Sequence, residues 1–348
     1  MASSIRVLAG QTALQQIQQH GLKQQLFDTM IGASGGPKWF VLFGLDQFLL
    51  TEFFKDRAAP IHLLGSSAGA WRFGCYAQQD GAAALQRFCE AYRSLDYPRT
   101  SSRREVTEIS AQVLNAIFPT PEHAKQCLEH PFFRLNFIVA RGKGLLNSDK
   151  QARVLGGLTA AAAANLLNRR HLGRFVERVL CHHPTEPFPL LPADLPTRHL
   201  ALDADNIQPA LFASGSIPLV LDPVAQIPGA EPGYYVDGGL TDYHFSWPLH
   251  SDKLVLYPHF SSKVSPGWFD KSLSRSPTAE DFRQVVMLVP SDDWVQSLPG
   301  GKIPDRKDFT KLAPSERLAR WKTVTERSFE LADDLNHGRY EVEPLPFS

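Results

Sequence analysis

The sequence predicts an α/β protein with a mainly parallel central sheet and a helical, loop-rich insertion. Two observations carry that expectation. Over the first eighty residues, short apolar runs ending in glycine alternate with longer helix-prone stretches, the rhythm of strands joined by right-handed crossovers. At 348 residues the chain is also long enough for one large domain or two ordinary ones, with a core that needs no metal or disulfide staples.

The elements follow in order. Residues 11 to 25, with Leu14, Ile17 and Leu22 among glutamines, predict a short helix, and Leu26 to Ile31 predicts the first strand, ending in glycines. Pro37 suits a first helical position, and no breaker follows until Ala59-Pro60, so a long buried helix is expected between them. Ile61 to Leu64 is the next strand, and beyond Gly65 a helix is expected from Ala68 to Gln79. Phe132 to Ala140 is apolar and β-prone, while Leu155 to Leu167 is alanine-rich and helix-prone. Prolines at 184, 187, 189, 192 and 196 predict a loop or lid rather than sheet interior across 182 to 202. Ile207 to Phe212 heads a helix, Tyr234 to Val236 reads as a strand ending at Asp237, and Lys253 to Tyr257 and Val285 to Val289 read as strands. From Ser315 to Leu335, apolar Leu318, Trp321, Val324 and Phe329 among alternating charges predict a surface helix.

Composition narrows the function. Lys plus Arg equals Asp plus Glu at 36 each, so the chain as a whole lacks the electrostatic footprint that holds nucleic acid or anionic membranes, although local patches remain open. Cys75, Cys89, Cys127 and Cys181 are scattered without a C-x-x-C pair and read as reduced thiols rather than zinc ligands or disulfides. His182 and His183 are adjacent, which does not bring two rings to one helix face, so no metal site and no cofactor are expected. The N-terminus shows no apolar core behind a basic start, and no window approaches 18 uncharged apolar residues, so the expected location is cytoplasmic.

The chemistry concentrates in three segments. Gly65-Ser66-Ser67-Ala68-Gly69 lies between a strand and a helix, where a strained turn lifts a serine hydroxyl clear of the sheet and small neighbours let helix and strand pass closely. The following helix points its free N–H groups at the anion formed in acyl transfer. Taken alone, the pentapeptide also fits an ordinary tight turn. Serine is inert at neutral pH without a base. Asp237, at the end of a short strand and followed by two glycines, is the better candidate, though an isolated Asp-Gly-Gly more often makes a turn. Upstream, "IGASGGPKW" supplies Gly32, Gly35 and Gly36 between strand and helix as oxyanion donors. It is not a nucleotide loop, because Lys38 is followed by Trp39 and G-x-G-x-x-G spacing is absent.

In their order and spacing these segments resemble the patatin-like phospholipase family, which carries a glycine-rich oxyanion loop, then G-x-S-x-G, then D-G-G or D-G-A. "ALFASGSIPLVLDPV", Ala210 to Val224, is similar to the small-residue and proline stretch before the family's aspartate. The resemblance implies a three-layer α/β/α fold and a lipid acyl hydrolase, a serine-dependent carboxylic ester hydrolase. It implies Ser67 as nucleophile, Asp237 as the base of a two-residue dyad, and no histidine. Its substrate would be a lipid or small ester, with transient contact at a membrane surface and no nucleic acid. Aligned without a gap, Ala33 and Ser34 replace the family's first glycines, Lys38 replaces an arginine and Trp39 a final glycine. Gly35 and Gly36 are therefore the oxyanion candidates, and Lys38 is a candidate head-group contact or a partner for a surface carboxylate. The recognisable core spans about 27 to 245, and 246 to 348 is expected to extend the same domain, giving one domain over 1 to 348.

Two other readings fit the residues. A Ser-His-Asp hydrolase would complete a triad with His244, His250 or His259, all beyond Asp237. A non-catalytic lipid or fatty-acid binding protein could keep the fold with its altered glycine loop.

Overall fold

The computed structural model describes residues 3–98, 100–189, 192–249, 251 and 253–347. Ten strands form one sheet: β1 (Ile5–Ala9), β2 (Phe27–Gly32), β3 (Ile61–Ser66), β4 (Phe133–Gly142), β5 (Val176–His182), β6 (Thr197–Ala201), β7 (Tyr235–Asp237), β8 (Leu254–Pro258), β9 (Val285–Pro290) and β10 (Val342–Pro344). Their order is β10-β1-β9-β8-β2-β3-β4-β5-β6, with β7 against β4. Pairing is parallel from β9 through β8, β2 and β3 to β4, and again for β5 with β6 and β1 with β10. It is antiparallel for β1 with β9 and for β4 with β5 and β7. Central strands covered on both faces need continuous apolar runs, and β8 "LVLYP" and β9 "VVMLVP" are buried throughout.

Helices cover this sheet, giving the α/β/α layering that the sequence implied. They are α1 (Gln11–His20), α2 (Phe43–Phe48), α3 (Ala68–Tyr76), α4 (Gly81–Arg93), α5 (Arg103–Ile117), α6 (Pro121–Glu129), α7 (Gln151–Leu167), α8 (Ile207–Gly215), α9 (Asp292–Gln296), α10 (Asp308–Lys311), α11 (Pro314–Arg327) and α12 (Phe329–Asn336). The insertion between α3 and β4 is helical. Asp80 caps α4 through the Ala83 amide, and Ser102 with Glu105 forms a full capping box on α5. Among the described residues no helix is long and apolar enough to cross a membrane.

The structure departs from the sequence-based expectations in four places. The long helix expected from Pro37 is one helical path wound three ways: 3₁₀ over Gly36–Leu42, then α2, then a π turn over Leu49–Phe53. At the first change of winding the Gly44 amide donates to the Ser328 hydroxyl at 2.8 Å instead of staying within the helix. Among the described residues of the proline-rich stretch, no strand or helix lies between His183 and Pro196. Beyond it Thr197–Ala201 forms the edge strand β6, where a preceding proline costs no ladder bond. The C-terminal helix is two helices with Ser328 between them. Trp321 and Val324 are buried there, Trp321 lying against Phe40 and Phe309, while Leu318 and Phe329 are exposed. Finally, α1 stops at His20 because Gly21 turns the chain at φ 73°.

Candidate active site

Strand β4 acts as the ruler of the site. Its first half pairs with β3, which sets Ser66 opposite Ile138. Its other edge is taken by β5 from Phe137 to Gly142. The short strand β7 must therefore lie on the β3 edge, beyond the end of β3, and Asp237 falls opposite Val139. Ser66 and Asp237 thus occupy consecutive rungs of one strand, and Ser67 is the next residue after Ser66.

The turn at Ser67 is strained. Its backbone sits at φ 53°, ψ −125°, a conformation that costs roughly 1–3 kcal/mol for a residue with a side chain. Close packing holds it there. A Cβ on Gly69 would stand 2.0 Å from the carbonyl oxygen of Gly32, so only glycine lets α3 begin against the end of β2. The Ser67 amide donates to Ser214 Oγ at 3.0 Å, and Ser214 Oγ donates in turn to the Ile138 carbonyl at 2.7 Å. Helix α8 thereby ties the turn to the ruler strand. Deeper down, the buried Arg72–Asp46 pair at 2.5 Å, with the Tyr76 hydroxyl donating to Asp46, joins α3 to α2.

The hydroxyl released by this turn donates to Asp237. Ser67 Oγ lies 2.8 Å from Asp237 Oδ2, and both side chains are buried. The other carboxylate oxygen accepts from the Gly239 amide at 2.7 Å, and the Asp237 amide donates to the Ser216 carbonyl at 2.9 Å. Gly238 is obligatory here, because a Cβ would meet the Ile138 carbonyl oxygen at 2.0 Å. Burial pushes the Asp237 carboxyl above the usual range. The Arg306 guanidinium, the Ser67 hydroxyl, the Gly239 amide and Lys271 pull it back down.

Ser67 and Gly36 open into a cavity of about 760 Å³. Trp71, Leu95, Val113 and Leu221 contribute apolar wall, drawn from α3, α5 and the segments after α4 and α8. Tyr92 and Arg306 also reach the cavity. The amides of Gly35 and Gly36, at the head of the 3₁₀ segment, donate to no protein acceptor among the described residues. Gly36 lines the cavity, whereas Gly35 packs against the Phe260 ring. Free N–H groups at the start of a helical segment suit a developing oxyanion.

The departures of this loop from an all-glycine run each have a packing role. Ser34 Oγ lies 2.9 Å from Ser66 Oγ, bridging the loop to the end of β3. Trp39 stacks on Phe88 of α4, ring centroids 4.4 Å apart and planes 3° from parallel, which pins the loop to the insertion.

Three cations stand around the loop. Lys38 is half-buried with its amine 5.1 Å over the Phe260 ring; burial pushes its pKa down, and Arg306 adds to that while Asp305 opposes it. Lys271 is exposed along its stem, but its amine lies 3.9 Å over the Tyr243 ring. Desolvation there, then Arg306 and Lys38, push it down to about 8. Arg306 makes no ion pair with a carboxylate among the described residues. Neither Arg306 nor Lys271 was singled out from the sequence, because both come from the last hundred residues, which carry no motif. Ser214 was within reach, since it stands in the "ALFASGS" stretch already noted.

The histidines take other roles. His244 Nδ1 accepts from the Ser265 amide at 3.1 Å and its ring stacks on Tyr243; burial, first of all, holds its pKa well below the ordinary value. The His259 imidazole is engaged with the backbone of Ser261, and burial pushes it down to about 3. The hydrogen-bond partner of the Ser67 hydroxyl is Asp237 rather than either ring. His250 lies outside the described residues.

A mostly parallel sheet between helical layers, with an apolar cavity at the ends of its central strands beside a buried serine-aspartate pair, places the chain among α/β/α proteins. The patatin-like phospholipase family model matches residues 50–244, more than half of the sequence, and the chain belongs to that family. Among solved structures it is similar to VipD from Legionella pneumophila, at 12% identity over 96% of this chain and 70% of that one, TM-score 0.36. It is also similar to human GIVD cytosolic phospholipase A2, at 14% identity over 92% and 60%, TM-score 0.42. The type III effector protein ExoU matches at 16% identity over 88% and 53%, TM-score 0.29. No curated protein matches the sequence significantly.

Proposed function

We propose that this family member is a lipid acyl hydrolase in which Ser67 is the nucleophile and Asp237 the general base. The observation that carries the reading is the 2.8 Å hydrogen bond from Ser67 Oγ to Asp237 Oδ2 beside an apolar cavity. Ser67 Oγ attacks the ester carbonyl and its proton passes to Asp237. The carbonyl oxygen becomes an oxyanion that the Gly36 and Gly35 amides stabilise, each such donor contributing roughly 3–4 kcal/mol. Collapse breaks the ester C–O bond, and the leaving alcohol takes the proton from Asp237. Water then attacks the Ser67 ester with Asp237 again taking its proton; the acyl–Oγ bond breaks, Asp237 returns the proton to Ser67 Oγ, and the free acid departs.

The cavity suits an acyl chain, and Arg306 with Lys38 and Lys271 suits an ester whose leaving group is anionic. We further infer that 246–348 belongs to the same folding unit as the rest of the chain, since β8 and β9 lie between β1 and β2.

Ser67→Ala tests the proposal. It should lower hydrolysis of a p-nitrophenyl acyl ester by about 10⁴-fold or more and abolish fluorophosphonate labelling, with the circular dichroism spectrum unchanged. Retained hydrolysis in that variant would overturn the reading. Binding of fatty acid by a wild-type protein that never cleaves the ester would favour a non-catalytic binding protein instead.

A further inference from the structure

Helix α7 is apolar on both sides. Its inner face, Val154, Gly157, Leu158 and Ala161, is buried. Its outer face consists of Leu155, Gly156, Thr159, Ala163, Leu166 and Leu167, all exposed and spaced to share one side of the helix. Leu155 is 56% exposed, Leu166 64% and Leu167 80%, and just ahead of the helix Leu145 is 45% exposed. These are four of the seven exposed large apolar residues among the described residues. The hydroxyl of Thr159 donates inward to the Leu155 carbonyl at 3.0 Å. Across three turns the face therefore offers water no free polar side chain, where a solvated helix carries charges.

The charge around this face is equally uneven. The chain is neutral as a whole, yet residues 143 to 175 contain Lys143, Lys150, Arg153, Arg169, Arg170 and Arg174 against Asp149 alone. Arg169 turns inward to Asp194, Asp242 and Asp270, and the Lys143 amine donates to the Gly173 carbonyl. The other four are exposed and form no side-chain ion pair with a carboxylate among the described residues. Lys150 and Arg153 stand at the start of α7, Arg170 and Arg174 just past its end. An apolar stripe bracketed by cations suits the plane of an anionic lipid surface, leucines in the acyl boundary and cations at the phosphates.

Position supplies the third observation. Leu146 and Val154 share a cleft with Pro218, Leu219 and Leu221. Leu221 and the exposed Val220 line the Ser67 cavity. The cleft joins the buried side of α7 to the cavity rim, so the exposed stripe stands on a helix that borders the cavity.

We propose that the outer face of α7, with Leu145 and the four cations, docks this protein on an anionic lipid surface beside its own cavity. The purpose of the docking rests on the hydrolase reading; its measurement does not. A second copy fits the face poorly, because a two-fold contact would set the cations of one α7 against those of the other.

Vesicle co-sedimentation tests it, with phosphatidylcholine alone and phosphatidylcholine containing phosphatidylserine. The wild-type protein should bind the anionic vesicles and lose binding as salt rises. The variant Leu155→Ser, Leu166→Ser, Leu167→Ser should lose binding by about tenfold or more. Arg170→Glu with Arg174→Glu should abolish the preference for phosphatidylserine. Both variants should cleave soluble p-nitrophenyl butyrate like the wild type. Unchanged vesicle binding in the leucine variant would overturn the proposal, as would wild-type binding that ignores phosphatidylserine. So would a wild-type dimer, seen by sedimentation velocity, that the leucine variant abolishes. Absence of butyrate hydrolysis in all three proteins would sink the hydrolase reading and leave the docking result standing.

Discussion

Asp237 is the residue whose environment says most. Burial raises its carboxyl pKa, so on unfolding it becomes the stronger acid. Its contribution to stability is therefore full below the ordinary carboxylate pKa and lost as pH rises through the raised one. At neutral pH the buried charge is a cost to the fold, and Asp237→Asn should remove it. That variant is expected to lose ester hydrolysis while its stability to urea stays level or rises; an unfolding free energy lowered by more than about 1 kcal/mol would contradict the assignment. Arg306 is the largest influence pulling the carboxyl down. A base must be ionised, so activity falls on acidification through the Asp237 pKa. Arg306→Gln should move the acidic limb of kcat/KM upward. A limb that stays in place or moves down would show that Arg306 does not face the carboxylate in solution. Ser67 was legible because its backbone conformation is extreme and leaves glycines on either side, and Asp237 because two glycines follow it at the end of a strand. Arg306 was not, because a lone arginine in a loop carries no local signal; only the folded chain brings it to Gly36.

At the scale of elements, the site is where three strands meet. The β3 and β7 segments share one edge of β4, so a one-rung slip of β7 would carry Asp237 past Ser67. The contact of Gly69 with Gly32 holds the start of α3 in the same register. Gly69→Ala should destabilise the protein by about 1–3 kcal/mol in urea unfolding and reduce ester hydrolysis with it; an unperturbed midpoint would mean that this packing is looser than described. Of the strands read from the sequence, β8 and β9 are unbroken apolar runs, while β2 and β3 are short apolar stretches ending at glycine. Two short strands escaped: β1, one in from the edge, has the charged Arg6 at its second position, paired across to Glu343 of β10, and the edge strand β6 follows a proline. The helices α4, α5 and α6 were also unread; the first two start on side-chain caps at Asp80 and Ser102, and α6 starts on Pro121 with no side-chain cap. The helix after Pro37 was read as a unit, but its first change of winding, at Gly44, answers to Ser328, some 284 residues away.

For the molecule as a whole, the C-terminal hundred residues supply both core and site. They place β8 and β9 in mid-sheet, bring α11 against the glycine loop through Trp321 and Phe40, and deliver Arg306 and Lys271. A chain ending at residue 245 should therefore be insoluble or lack a cooperative thermal transition; a soluble, cooperatively folding product would refute the single unit. Lys271, with a pKa near 8, links the site to pH as well. Any preference for anionic over neutral esters should shrink as pH rises through about 8, and Lys271→Arg should extend it to higher pH. The most direct measurement is peptide mapping after brief reaction with a p-nitrophenyl acyl ester quenched in acid. The account predicts one acyl group per chain, on Ser67, and none in Ser67→Ala. An acyl adduct on any other residue, with turnover persisting in Ser67→Ala, would contradict it.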